Sequence, residues 1–169
     1  MSVKIAHASI DENGNIAGGK VGDQTKKEIC IRDWYAHKSG WNVYLECTDK
    51  ALASAAVVLA KEIALDPNYG YDQSQRLTGV NSIKANDGEV DGGKGEFDCS
   101  SFVSSVYYLA GLHSLSVANT TKSLRKALLK TGKFVEYTDS SHLKSSAYAK
   151  KGGIYLSEGH HVVLVVSTK

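Results

Sequence analysis

The stretch FDCSSFVSSVYYLAG (Phe97–Gly111) decides the fold, because it predicts a helix that begins at a reactive side chain. Four apolar residues recur at helical spacing and share one face: Phe102, Val106, Leu109 and Ala110. Asp98 is well placed as the N-cap of this helix, and Gly111 is a typical C-terminal stop. The thiol of Cys99 is therefore expected in the first turn.

The position of Cys99 makes it a candidate nucleophile. Unpaired backbone N–H groups and the positive end of the helix dipole favour a thiolate over a thiol. Its neighbours Asp98 and Ser100 are polar, so a cysteine that is merely packed in the helix is the weaker interpretation. Cys30 and Cys47 lie in apolar, strand-like runs instead, and we expect them to be small buried side chains.

A cysteine nucleophile needs an imidazole that takes its proton and later protonates the leaving amine. His160 and His161 open the run HHVVLVVS, which predicts a strand that is apolar on both faces and central in a sheet. Successive strand residues point to opposite faces, so only one of the two histidines can meet Cys99. Three further histidines have polar neighbours and are expected on the solvated surface: His37, His113 and His142.

The surrounding pattern predicts an α+β fold, with helices first and most of the sheet last. One helix begins after Thr48 or Asp49 and is stopped by Pro67, and another runs from about Asn119 to Thr131. Five strands are predicted, at residues 30–35, 42–47, 134–137, 154–156 and 161–166. The first two are expected to pair as a hairpin. Residues 5–23 predict a hairpin or extended arm, and residues 85–95 predict a loop.

Composition narrows the function classes. The 169 residues, 42% hydrophobic and 22% charged, suit one globular domain over residues 1–169. A formal net charge of +2 gives no reason to expect a nucleic-acid or membrane partner. Three cysteines without CxxC spacing predict neither a zinc nor a redox site. No apolar run reaches the length of a membrane helix, and the first ten residues lack the core of an export signal.

Two sets of segments carry a family resemblance. The string FDCSSFVSSVYYLAG, followed by a helix and then HVVLVVS, resembles the NlpC-type papain-like cysteine peptidases that cut bacterial cell walls. HASIDENGNIAGGKVGDQTKKEICIRDWY, YGYDQSQR and DCSSFV together resemble more closely the N-terminal catalytic domain of phage and prophage endolysins of Gram-positive hosts. This resemblance runs over nearly the whole chain. It implies a papain-like α+β fold in which the helix with the nucleophile packs on a central antiparallel sheet.

The resemblance also implies roles for single residues. Cys99 occupies the nucleophile position and His161 the position of the base. Tyr71, in GYDQ, resembles a tyrosine whose hydroxyl borders the oxyanion site, although a purely structural tyrosine is an open alternative. Asp98 and Ser100 match positions that line the peptide-binding groove, and for Asp98 this role is compatible with capping the helix.

The chain departs from the family pattern at three places. Ser101 replaces the usual glycine after Asp-Cys-Ser, a small change that we expect to be harmless. Residues 152–153 are Gly-Gly where relatives often have Gly-Asp, so a supporting carboxylate is missing. Apart from these departures, His160 stands at what is often a glycine or polar position and is the second choice for the base.

The third departure concerns the group that orients the imidazole of His161. Downstream of it, Ser167 and Thr168 are the only polar groups expected to be able to orient the imidazole. If the polar arm at the front folds back beside the last strand, it could supply the third member instead. Three residues of the arm are candidates: Gln24, Asp23 and His7.

The resemblance implies a peptidoglycan hydrolase that needs neither metal nor cofactor. The thiolate would attack an amide carbonyl, so both a stem-peptide endopeptidase and an N-acetylmuramoyl-L-alanine amidase remain open. As an endolysin it would be made in the bacterial cytoplasm without a signal peptide and released through a holin. A wall-binding module is then expected in a longer parent chain. The alternatives are an antibacterial toxin or effector with the same hydrolase fold and a non-catalytic wall-binding module.

Overall fold

A computed structural model describes residues 2–168 and has an α+β architecture. The strands are β1 (Lys4–Ala8), β2 (Ile29–Asp33), β3 (Val43–Cys47), β4 (Tyr69–Tyr71), β5 (Gly95–Phe97), β6 (Phe134–Tyr137), β7 (Ile154–Ser157) and β8 (His161–Ser167). The α-helices are α1 (Lys50–Leu65), α2 (Thr78–Ala85), α3 (Cys99–Leu109), α4 (Leu124–Lys130) and α5 (Ser140–Leu143). A short 3-10 helix covers Gln73–Gln75.

Six of the strands form one sheet in the order β2-β1-β8-β7-β3-β6, and each pair of neighbours is antiparallel. β4 and β5 form a separate parallel pair. The last strand, β8, lies between β1 and β7, and residues 162–166 are all buried. This confirms the expectation of a central strand that is apolar on both faces.

The helices α1 and α3 cover one face of the sheet. The Asp49 side chain caps α1 by accepting the N–H of Leu52, and α1 ends just before Pro67. In α3, Asp98 and Ser101 form a reciprocal capping box, so Cys99 is the first helical residue. Both predicted helices are confirmed. The helix that carries the cysteine packs on an antiparallel sheet, as a papain-like α+β fold requires.

A second core covers the opposite face of the sheet, and its members are Ile5, Trp41, Tyr44, Tyr155, Val163 and Val165. This core explains why the predicted hairpin of residues 30–35 and 42–47 is wrong. β2 pairs with β1, whereas β3 pairs with β6 and β7, so three strands separate β2 from β3. The connection does not make a tight turn, because Trp34, Tyr35 and Trp41 pack along this face. Strand pattern alone shows that a strand forms, not which strand it pairs with.

The helix predicted for residues 119–131 starts later, at Leu124. Before it, the Ser123 hydroxyl accepts the N–H of Thr120 and donates to the side chain of Asn119. These side-chain bonds satisfy polar groups in a turn and compete with helix formation. The polar opening contains β1 and reaches the sheet, so the expectation of an extended arm is confirmed for residues 5–8.

The three cysteines are unpaired. Cys47 is buried, as predicted, whereas Cys30 is half-buried because it lies on the edge strand β2. Across residues 2–168, the helices are too short or too polar for any of them to cross a membrane.

Candidate active site

The nucleophile candidate and the start of β8 lie side by side. The backbone N–H groups of Ser100 and of Val162, the residue that follows His161, lie close enough to the Cys99 sulfur to lower the pKa of its thiol, although burial outweighs them. Only 9% of Cys99 is exposed. The N-terminus of α3 thus meets the end of β8 that carries the imidazole. His160 lies in the turn before β8 rather than on the strand, and it is exposed.

A second histidine reaches the imidazole from the neighbouring strand. The Nδ1 atom of His7, on β1, lies 2.9 Å from the Nε2 atom of His161, and the ring centroids are 5.0 Å apart. His7 is buried, with 4% exposed. This contact occupies Nε2 of His161 and leaves the other ring nitrogen, Nδ1, outside the histidine pair. The polar arm therefore does fold back beside β8, and it brings His7 to the site.

Burial determines the protonation states of Cys99, His161 and His7. Burial raises the pKa of the Cys99 thiol to about 12, and the neighbouring Asp98 carboxylate adds to this shift. Burial lowers the pKa of His161 to about 4 and that of His7 to about 3. The helix N-terminus therefore does not outweigh burial. At neutral pH the free site holds a neutral thiol and two neutral imidazoles, and proton transfer must accompany any attack by sulfur.

The other two candidates for a third member are engaged in their own loop. The Asp23 carboxylate accepts backbone N–H groups, among them that of Lys27, and so folds the turn before β2. Gln24 is exposed, and its amide donates to the backbone carbonyl of Val21. Ser167 lies six residues along β8 from His161, which is roughly 20 Å at the rise of a strand.

Aromatic rings enclose the outer side of the imidazole. The ring of His37 stacks on His161 with centroids 5.9 Å apart, and Trp41 stacks on it at 6.4 Å. Tyr35 meets His7 edge-on at 6.1 Å. The expectation that His37 is a solvated surface residue is wrong, because the connection between β2 and β3 folds over the end of β8 and half-buries it.

The remaining two histidines lie elsewhere. His113 is exposed, as predicted. His142 is half-buried rather than solvated, because its ring stacks on Tyr137 at 4.0 Å and its Nδ1 contacts the Asp139 carboxylate at 2.8 Å. Neither belongs to the site around Cys99.

Tyr71 reaches the site from the small parallel sheet. It pairs with Phe97, two residues before Cys99, and is buried. Its hydroxyl accepts a hydrogen bond from the Gln73 amide at 3.1 Å. Burial raises the pKa of Tyr71 to about 12, and the proximity of Cys99 contributes to the shift. The hydroxyl is therefore neutral at physiological pH and retains a proton that it can donate.

Arg76 connects the two positions expected to line the groove. Its Nε lies 2.7 Å from the Asp98 carboxylate, and its Nη2 donates to the Ser100 hydroxyl at 3.1 Å. The same guanidinium donates to the backbone carbonyl of Asn119. Arg76 therefore ties the first turn of α3 to the loop before α4. Sequence reasoning missed it, since a lone arginine in YGYDQSQR carries no distinctive spacing.

Within residues 2–168, no cluster of three His, Cys, Asp or Glu side chains could hold a metal ion.

The chain is similar to a known protein family. The family model described as "Endolysin-like domain" matches residues 5–169. No curated protein and no solved structure shows a significant match. Since the family model covers nearly the whole sequence, the chain belongs to the endolysin-like domain family, and its function is the lysis of bacterial cell walls by hydrolysis of peptidoglycan.

Proposed function

We propose that the protein cuts an amide bond of peptidoglycan with Cys99 as nucleophile and His161 as base. The observation that carries the proposal is the arrangement of three groups. A thiol at the first residue of α3 lies beside the start of β8, where Nε2 of His161 is held 2.9 Å from Nδ1 of His7. This is the arrangement that thiol-dependent acyl transfer needs: nucleophile, base and a group that orients the base.

The reaction begins from the neutral pair. As the sulfur of Cys99 bonds to the amide carbonyl carbon, its proton passes to Nδ1 of His161. The carbonyl oxygen becomes an oxyanion, and backbone N–H groups at the start of α3 and the Tyr71 hydroxyl stabilise it. Collapse breaks the C–N bond, and His161 returns the proton to the leaving amine. Water, deprotonated by His161, then hydrolyses the thioester and restores the thiol.

His7 acts through His161. When Nδ1 of His161 takes up the thiol proton, the imidazolium donates its Nε2–H to Nδ1 of His7. This bond fixes the tautomer and the angle of the ring. His7 is therefore a positioning residue rather than one that touches substrate. We place Asp98 and Ser100 at the edge of the peptide-binding groove, where Arg76 holds both.

The wider assignment follows the sequence resemblance. We infer an NlpC-type papain-like hydrolase from a phage or prophage endolysin, made in the cytoplasm and released to the wall through a holin. The scissile bond is that of a stem-peptide endopeptidase or of an N-acetylmuramoyl-L-alanine amidase. Both place an amide carbonyl in front of the thiol and release an amine. A wall-binding module belongs to a longer parent chain in this assignment.

The test is the chemistry of the products from purified cell walls. Amide cleavage creates new free amino groups and no new reducing sugar ends, and mass spectrometry of the soluble fragments identifies the bond. We expect new amines from the wild-type protein. Release of reducing ends would contradict the proposal, and so would binding to walls without any release of fragments.

A further inference from the structure

Arg32 is an exposed cation on the edge strand β2. It lies opposite Ile5 of β1, two residues from His7. Its guanidinium carbon lies 4.2 Å from the centroid of the Tyr35 ring, which holds it by a cation–π contact. Within residues 2–168, no carboxylate forms an ion pair with it. The guanidinium is therefore fixed in place by a ring and keeps its donors available.

Tyr35 connects this cation to the reaction centre. Its ring meets that of His7 at 6.1 Å, and His7 in turn contacts His161. Burial raises the pKa of the Tyr35 hydroxyl, and both Arg32 and Cys99 are close enough to influence it. Arg32 therefore stands at the rim of the site, one aromatic ring away from the groups that react.

The charge of Arg32 opposes the reaction while it has no anionic partner. Burial is the largest cause of the lowered pKa of His161 and of His7, and a neighbouring histidine is the second. Arg32 lowers both pKa values further. His161 must become an imidazolium when it takes the thiol proton, and a nearby uncompensated cation disfavours that state. An anion bound to Arg32 would neutralise this effect at the moment when substrate is present.

We propose that Arg32 binds a free carboxylate of the stem peptide and makes the enzyme prefer a peptide with that carboxylate over one in which it is a carboxamide. The proposal rests on the proposed function above and adds a substrate preference to it. A planar guanidinium donates two parallel hydrogen bonds to a carboxylate, a pairing that a neutral carboxamide does not reproduce. Tyr35 keeps the fork oriented, so less side-chain freedom is lost on binding.

The experiment compares two synthetic muramoyl stem peptides that differ at one group, the α-carboxyl of the D-glutamyl residue, which is either free or a carboxamide. Initial rates at low substrate concentration give kcat/KM for each. We expect the wild-type protein to favour the free acid about tenfold, as for a charge-assisted hydrogen bond at an exposed site. In Arg32→Ala the ratio of the two kcat/KM values should fall to about one, because kcat/KM for the free-acid peptide decreases.

Lys84→Ala is the matched control, because Lys84 is also an exposed cation that lies over a tyrosine ring. That ring belongs to Tyr108, at the end of α3 opposite to Cys99. It should keep the wild-type ratio. The proposal is overturned if the wild type cleaves both peptides equally well, or if Arg32→Ala lowers both by the same factor and keeps the ratio. If the wild type cleaves neither peptide and releases no amines from walls, the proposed function fails, and this proposal fails with it.

Discussion

Replacing His7 by alanine tests the least expected part of the site. The substitution removes the acceptor that lies 2.9 Å from Nε2 of His161. In the transition state that bond is made to an imidazolium, and hydrogen bonds to charged groups are worth about 1.5–3 kcal/mol. At about 1.4 kcal/mol per tenfold in rate, His7→Ala should lower kcat about 10- to 150-fold. KM should change little, because we place His7 out of reach of the substrate.

The assay is the release of amino groups from a soluble stem peptide over a range of concentrations, which separates kcat from KM. Thermal unfolding shows whether the fold persists, since His7 is buried. His7→Asn is the rescue variant, because its side-chain oxygen can accept the same proton, and it should recover part of the loss. His142→Ala removes another half-buried, stacked histidine away from the site and is the matched control. A folded His7→Ala protein with wild-type kcat would refute the reasoning.

Three further predictions concern the two adjacent histidines, the pH dependence of the rate and a buried carboxyl group. His161→Ala should lose activity by orders of magnitude, whereas His160→Ala should lose little; the reverse result in a wall-lysis assay would move the base to His160. Burial lowers the pKa of His161 to about 4, so kcat/KM should hold steady down to about pH 5 and fall as pH drops through about 4, where the base becomes protonated. A fall centred near pH 6.5, the value of a free imidazole, would contradict this burial effect. Burial raises the pKa of Glu96 from 4.5 to about 8, so its contribution to stability is present below about pH 4.5 and is lost as pH rises through about 8. Glu96→Gln should therefore raise the melting temperature at about pH 9 more than at about pH 5, and an equal change at both pH values would argue against the buried carboxyl.

Local signals predicted the parts of the fold that depend on neighbouring residues. The capping residue Asp98 and the 3.6-residue apolar period define α3, so the position of Cys99 in the first turn was accessible from sequence. Pairing between distant segments was not, because a strand pattern does not name its partner. This is why β2 was expected beside β3 when it pairs with β1.

The same limit applies to the site. The run HHVVLVVS drew attention to both His160 and His161, and the family resemblance favoured His161. His7 remained one of three polar choices, since its distance to His161 is set by the pairing of the first and last strands. His37 was placed on the surface because its neighbours in sequence are polar, whereas its neighbours in space are the rings of Trp41 and His161.

The role of Cys99 as nucleophile is tested most directly by comparing two cysteine-to-serine variants on purified cell walls. Cys99→Ser removes the nucleophile in a polar first turn with almost no change in volume, so the protein should fold and release no amines above background. Cys30→Ser makes the same substitution at an unpaired, half-buried cysteine of β2 and should keep wild-type activity. If folded Cys99→Ser released amines at the wild-type rate, Cys99 would not be the nucleophile.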